Sequence, residues 1–465
     1  MARLSLAQVA RGTDGVLLRG DAGTVVDSYS IDTRTLRSGD VFFALVGPHH
    51  DAHRFVPEAI KKGAKAVVIS RGRAGDFPGE AALLRVADTT RALQELAAWV
   101  RHQQEVKVIG ITGSSGKTTT KEMAAAIMEE AMPTLKSTGN LNNTYGLPLC
   151  LLQLDPAQRG AVLEMGMSYA GELTVLAGIA DPDVGVLLNV HPVHREHFAS
   201  LSAIADAKGE LFRGMRDDAV ALYNAEDPQA TRVALSFRGR KIGFGFGERC
   251  EARVTGMRSS QAGGAAFTLS FQDARIPVEI RFPGRHHIAN ALAAGTAGLC
   301  AGASAEAVAK GLARVRPLPM RGAMLRFPGE VRVMDETYNS NPKAMESTLQ
   351  TFADIPARGR KVVASGDMLE LGPEGVEAHR AVGRQVAASG AALFVAVGPL
   401  SRLAAESAKV SGMQEVRHFE KSPEAGQFLA GVLADGDLVL VKGSRGIAME
   451  HVVEAIRASR GQEES

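Results

Sequence analysis
Apolar and polar positions fall in blocks that read as strand, turn and helix, over and over along the chain. The sharpest block is residues 106–128. Val106, Val108, Ile109 and Ile111 form an apolar run that predicts a buried strand. Gly113-Ser114-Ser115-Gly116 is a turn, and a helix follows from Lys117 through Met123 and Ile127. Upstream, residues 41–45 and 65–69 read as strands, with Phe55, Ala59 and Ile60 marking a helix between them. Leu93, Leu96, Ala97 and Val100 share one face of a helix from Thr89 to about His102. Downstream, residues 161–165, 184–190 and 219–223 are strand candidates, and Ala203, Ala207 and Leu211 line a helix face. Gly243-Phe244-Gly245-Phe246-Gly247 reads as strand and turn, because no helix follows it. Residues 251–283 alternate as a small antiparallel excursion before an alanine-rich helix at 291–299. The alternation is clearest beyond residue 318, with strands at 332–335, 361–364, 392–397 and 438–441 and helices between them. That order predicts a parallel, Rossmann-like sheet. The fold class is therefore α/β in three domains. These are a small α/β unit at 1–104, a central P-loop ATPase-like parallel-sheet unit at 105–317, and a Rossmann-like unit at 318–465.

Chemistry concentrates where strands end. Strand, glycine turn, Lys-Thr and helix is the grammar of a phosphate-binding loop. Gly113, Ser114, Ser115 and Gly116 would offer backbone N–H groups, Lys117 a point charge for the terminal phosphates, and Thr118 a hydroxyl for Mg²⁺, with Thr119 beside it. The strict pattern G-x-x-x-x-G-K-[ST] is not met, since Ile111 stands at its first glycine. Glu164 lies inside an apolar run just before Gly166 and reads as a Mg²⁺ or water ligand rather than a paired structural charge. Asn140, Asn142 and Asn143 precede Gly146 and form either a turn or a substrate loop. His191, His194 and His197 do not match the H-E-x-x-H zinc geometry, and Pro192 interrupts them. Lys208, one lysine on a helix, reads by default as a solvated charge. Thr33 and Arg34 are either solvated turn residues or contacts for a phosphate or uridine. In the last unit, segments 335–342, 366–372 and 442–446 each follow a strand. Ligands of open parallel sheets sit beyond the carboxyl ends of the strands, so all of these loops are expected at one edge, closing over ATP and a second substrate.

Composition narrows the class. The formal net charge is +2, and no basic block suggests nucleic-acid binding. Three scattered cysteines make no C-x-x-C and fit a reducing cytoplasm. Neither a signal peptide nor an apolar run long enough for a transmembrane segment is legible. No Ser/His/Asp or Cys/His arrangement is visible, so no protein nucleophile is expected. A P-loop switch or binding module would predict a guanine-reading N-K-x-D segment, which is absent, and intact Lys117, Thr118 and Glu164 weigh against a silent scaffold.

Together these stretches resemble the Mur ligase family, the ATP-dependent amide-forming enzymes of peptidoglycan synthesis. The resemblance rests on IDTRTLRSGDVFFALVGPHHDAHRF, GITGSSGKTTT, NLNNTYGLPL, EMGMSYAGEL, NVHPVHREHF, AKGELF, DETYNSNPKAM, GDMLELG and VKGSRG. It spans nearly the whole chain, and DETYNSNP and NLNNTYGLPL point to the branch that adds D-alanyl-D-alanine. Another Mur ligase or a folylpolyglutamate synthetase is the alternative within the class. The resemblance implies that D-Ala-D-Ala is joined to UDP-N-acetylmuramoyl-tripeptide through an acyl phosphate, with ATP and two Mg²⁺, in a cytoplasmic monomer. It also implies roles for single residues. Lys117 would hold the ATP phosphates, Thr118 the first Mg²⁺, Glu164 Mg²⁺, and His194 and a carbamylated Lys208 the second. Asn142 and Asn143 would face the muramoyl peptide, Asn290 the adenine, Arg321, Tyr338, Asn339 and Asn341 the nucleotide, and Thr33 and Arg34 the UDP end. The chain departs from the family pattern at Arg195, His197, His287 and Glu336, where an apolar residue, glycine, asparagine and aspartate are usual.

Overall fold
The structure is a computed structural model that describes residues 2–47, 50–73, 77, 79–192, 196–259 and 264–461. Among these, the strands assemble into one sheet of nine, one of six, one of five and a two-stranded ribbon. The nine-stranded sheet runs, edge to edge, Thr134–Lys136, Gly160–Glu164, Lys107–Thr112, Val184–Leu187, Val220–Asn224, Arg240–Gly245, Ala252–Ser259, Ala265–Phe271 and Ala274–Ile280. Pairing is parallel as far as Ala252–Ser259, and the last two strands turn antiparallel. The expected antiparallel excursion is thus an extension of the central sheet, not a separate lobe.

The parallel strands are apolar on both faces because helices cover both. One face packs under helices Thr89–His102, Glu172–Ala180 and Leu201–Arg213; the other packs under Lys117–Ala131, Arg285–Cys300 and Ala305–Arg314. Val108, Ile109, Ile111 and Val186 are fully buried between them, each contributing roughly 1.5–3 kcal/mol of transfer free energy. The helix Thr89–His102 matches its predicted bounds and is capped by Asp88. It packs in one continuous core with the five-stranded sheet and the central one, which ties the first unit to the second. In that five-stranded sheet the strand Val16–Arg19 is antiparallel, and the others run parallel in the order Ala82–Val86, Ala66–Ser70, Val41–Phe43, Tyr29–Ser30.

The six-stranded sheet runs Ala323–Phe327, Val331–Glu336, Leu438–Lys442, Lys361–Gly366, Leu393–Val397, Glu415–Phe419. It is parallel except at its first strand, so the Rossmann-like expectation gains an antiparallel edge. No helix among the described residues is long and apolar enough to cross a membrane.

One arrangement was not foreseen. Asp51, His53 and Ser70 stand in hydrogen-bond order: His53 Nδ1 lies 2.7 Å from Asp51 Oδ1, and Ser70 Oγ lies 3.3 Å from His53 Nε2. It is a brace rather than a nucleophile triad. His53 Nε2 already accepts the Ser70 backbone N–H at 3.0 Å, so its lone pair is not available as a base.

Candidate active site
The strand Lys107–Thr112 delivers the glycine turn to the carboxyl edge of the central sheet, where the helix Lys117–Ala131 starts. Gly116 takes the left-handed conformation (φ +82°), and a Cβ there would lie 2.5 Å from Asn290 Oδ1. Only glycine permits both the turn and this approach. No side chain caps the helix, so its first-turn N–H groups face the cleft, as an anion site requires. The loop is pinned from behind. Asn189 Oδ1 accepts the Ser115 N–H at 2.9 Å, and Ser114 Oγ accepts the His191 N–H at 2.8 Å. Lys117 Nζ donates to the Gly113 carbonyl at 2.9 Å. Burial lowers the basicity of Lys117; Glu164 opposes the shift and Arg321 adds to it.

Glu164 is the last residue of its strand and is buried beside this helix start. Its carboxylate accepts from Thr118 Oγ1 at 2.7 Å and from Asn142 Nδ2 at 2.8 Å. The neighbouring Asn143 instead accepts the Tyr145 and Gly146 N–H groups at 3.2 and 2.8 Å and starts the next helix. The asparagine loop therefore divides its work, one residue on the carboxylate and one in the turn.

Lys208 corrects its reading as a solvated charge. It is only 2% exposed, because the helix Leu201–Arg213 packs that face against the central sheet. Among the described residues its ammonium meets no hydrogen-bond acceptor or carboxylate. Burial, with Lys117 nearby, holds its pKa well below the ordinary lysine value. His191, whose buried Nδ1 has no hydrogen-bond partner among the described residues, is also pushed down by burial, to about 4. His194 and Arg195 lie outside the described residues, and His197 stacks at 4.5 Å on Tyr169.

A cleft of about 1090 Å³ joins the phosphate loop, Glu164 and His191 to the six-stranded sheet; Lys208 and His197 do not line it. Ser114, Ser115, Gly116, Lys117, Thr118, Thr119, Asn142, Asn143, Glu164 and Asn290 line the side of the central sheet; Arg321, Tyr338, Asn339 and Asn341 line the other. The Arg321 guanidinium stacks 3.5 Å over the Tyr338 ring. Asn341 Oδ1 accepts the Ala344 N–H at 2.9 Å and caps the helix Pro342–Asp354. Lys442 Nζ reaches the Asn339 carbonyl at 3.1 Å and Glu336 Oε2 at 3.4 Å. Gly113 sits behind the loop. Thr33 and Arg34 do not line this cleft; the Arg34 guanidinium forks onto Asp32 in the five-stranded sheet's loop. Asp367 is also not a cleft residue, because it accepts the Leu400 and Ser401 N–H groups at a helix start.

Sequence reasoning passed over other cleft residues. Phe244 and Phe246 line it, and their i, i+2 spacing in a strand end was the available signal. Lys343, Ser347 and Thr351 line it too, at the i, i+4, i+8 spacing of one helix face.

Two domain families match the chain: the Mur ligase middle domain over residues 111–298 and the Mur ligase, glutamate ligase domain over 320–445. The UDP-N-acetylmuramoyl-tripeptide–D-alanyl-D-alanine ligase of Escherichia coli K12 is 35% identical over 98% of this chain and 99% of its own length. The chain belongs to the Mur ligase family. The ligase of the same name from Bacillus subtilis is 32% identical, over 93% of each chain. Among solved structures, MurF from Acinetobacter baumannii superimposes with a TM-score of 0.89 at 30% identity, covering 98% of this chain and 99% of that one. MurF ligase from Thermotoga maritima, solved in complex with ADP, gives 0.81 at 27% identity, over 93% and 98%. A folylpolyglutamate synthase from Mycobacterium tuberculosis, at 18% identity and a TM-score of 0.63, shares the fold alone.

In this Mur ligase the donor set suits Mg²⁺ and a polyphosphate. A hydroxyl and a buried carboxylate supply hard oxygen ligands, and the uncapped helix start and Lys117 await negative charge. Lys208 is buried and, among the described residues, has no hydrogen-bond or ion-pair partner.

Proposed function
We propose that this chain is an ATP-dependent amide ligase that joins D-alanyl-D-alanine to UDP-N-acetylmuramoyl-tripeptide. The observation that carries the reading is the pairing of Thr118 with Glu164 beneath the glycine loop, in a cleft whose other wall is Arg321 and Tyr338. Gly113, Ser114, Ser115, Gly116, Lys117, Thr118 and Thr119 bind the phosphates of ATP; Asn290 holds its adenine, and Arg321, Tyr338, Asn339 and Asn341 its remainder. A carboxylate oxygen of the tripeptide takes the γ-phosphoryl group, breaking the bond to the β-phosphate and releasing ADP. The dipeptide amine then attacks the carbonyl, the C–O bond to phosphate breaks, and phosphate and a proton leave. Lys117 balances the charge gathered between carboxylate and phosphate. Thr118, Glu164, His194 and carbamylated Lys208 would hold two Mg²⁺, which supply charge neutralisation at the transferring phosphoryl group. Neutral Lys208 adds CO₂ and releases a proton to become that carbamate.

Asn142 orients the tripeptide end, with Asn143 fixing the loop. Residues 1–104 take the UDP end, with Thr33 and Arg34 there. The unit at 105–317 holds ATP, and 318–465 takes the dipeptide and closes on ATP. Closure that positions the three reactants carries much of the rate. The chain works as a monomer in the cytoplasm.

The test is phosphate release by the purified chain with ATP, Mg²⁺ and UDP-muramoyl-tripeptide. D-Ala-D-Ala is expected to stimulate it and to appear in the product. Turnover indifferent to the dipeptide would overturn the reading.

A further inference from the structure
We propose that His286, His287 and Glu336 form a site for a divalent transition metal of the Zn²⁺ class, bridging the helix Arg285–Cys300 to the strand Val331–Glu336. These three side chains each offer one ligand atom, and the atoms all lie within 4.8 Å of one another. A modest rotamer adjustment brings such a set to the ~3.3 Å edge of a tetrahedron with Zn–N bonds of about 2.0–2.1 Å. Two imidazole nitrogens and one carboxylate oxygen are the borderline donors that select Zn²⁺ or Co²⁺ over Mg²⁺. This separates the cluster from the Thr118–Glu164 oxygen pair beneath the phosphate loop.

Two independent observations point into the same space. His287 is 4% exposed, and among the described residues neither of its ring nitrogens has a hydrogen-bond partner. A buried imidazole with both nitrogens idle is an exception that calls for a ligand. Opposite it, Gly322 has no side chain. A Cβ there would sit 3.1 Å from His287 Nε2 and 3.2 Å from Glu336 Oε1, so both atoms face the pocket that glycine leaves open. Glu336 meets Lys442 through its other oxygen, Oε2. The His286 ring lies 4.1 Å from the His287 ring, and Phe282 supports the latter at 5.0 Å. All three ligands border the cleft, which leaves a fourth position for water. Because the histidines ride on a helix of the nine-stranded sheet and Glu336 ends a strand of the six-stranded sheet, a bound ion clips the two together.

The full chain, stripped with a chelator and kept in excess Mg²⁺, is titrated with Co²⁺ and followed by visible absorption. Thermal unfolding with Zn²⁺ is run in parallel. Neither readout depends on the ligase reading. One equivalent of Co²⁺ is expected to give a low-symmetry d–d spectrum with imidazole ligation, and Zn²⁺ is expected to raise the unfolding temperature. His287→Asn and Glu336→Gln should each weaken binding roughly 10–100-fold or more and abolish the thermal shift. His286→Asn, at a less buried ring, serves as the second variant should His287→Asn fold poorly. No Co²⁺ spectrum in the parent, or a spectrum undiminished in every variant, as binding by the His191–His197 segment would give, overturns the proposal.

Discussion
Replacing Gly116 by alanine tests whether the loop conformation and the approach of Asn290 are separate requirements. The backbone there has φ +82°, a region that costs an L-residue about 1–2 kcal/mol. The new methyl would also lie 2.5 Å from Asn290 Oδ1, so Asn290 must retreat about 0.9 Å to regain ordinary contact. Asn290 is nearly buried on the helix Arg285–Cys300 and cannot swing freely, which adds about 1–2 kcal/mol of overpacking. The sum, ~2–4 kcal/mol, corresponds to roughly 30- to 1000-fold weaker ADP binding. Calorimetry on the parent, Gly116→Ala, Asn290→Ala and the double variant completes a cycle. In the double variant the steric part vanishes and the torsional part stays. The double variant should therefore bind roughly 5- to 30-fold better than the sum of the single losses predicts, a coupling of ~1–2 kcal/mol. Additive losses would refute the contact, and an unchanged ADP affinity in Gly116→Ala would refute the loop as a phosphate site.

Glu164→Gln keeps the shape but loses the charge that Thr118 and Asn142 donate to. Amide formation should fall roughly 10²–10³-fold while circular dichroism is unchanged; near-parent turnover at saturating Mg²⁺ counts against Glu164 as a metal ligand. Incubation with ¹³C-bicarbonate should give a carbamate carbon signal in the parent and none in Lys208→Arg, and equal spectra would exclude the modification. His191 has a folded pKa of about 4 against an ordinary 6.5, so between these values the unfolded chain binds a proton that the folded chain refuses. Stability therefore falls as pH drops through that window, by ~3 kcal/mol in full. His191→Gln, with no imidazole to protonate, should unfold at lower pH than the parent; coincident acid-unfolding curves would show that His191 is not buried neutral.

Local patterns determined much of this protein. The apolar run at 106–111, the glycine turn and Lys117-Thr118 are contiguous, so their periodicity and composition suffice to place a phosphate loop at a strand end. The helix Thr89–His102 and the parallel strands of the last unit were legible for the same reason. What stayed hidden depends on residues far apart in sequence. That 252–280 joins the central sheet rests on the pairing of Phe244 with Ala252 and of Gly245 with Arg253, a choice that alternation cannot make. That Lys208 is buried rather than solvated depends on which helix face the fold presses inward, and one lysine on a helix carries no sign of it. Glu164 read as a metal ligand from its place in a strand, but only folding sets it between Thr118 and Asn142. The stack of Arg321 on Tyr338 and the convergence of His286, His287 and Glu336 are likewise products of two sheets meeting across a cleft. Short-range order is written in neighbouring side chains; which distant groups share a pocket is decided only when the layers pack.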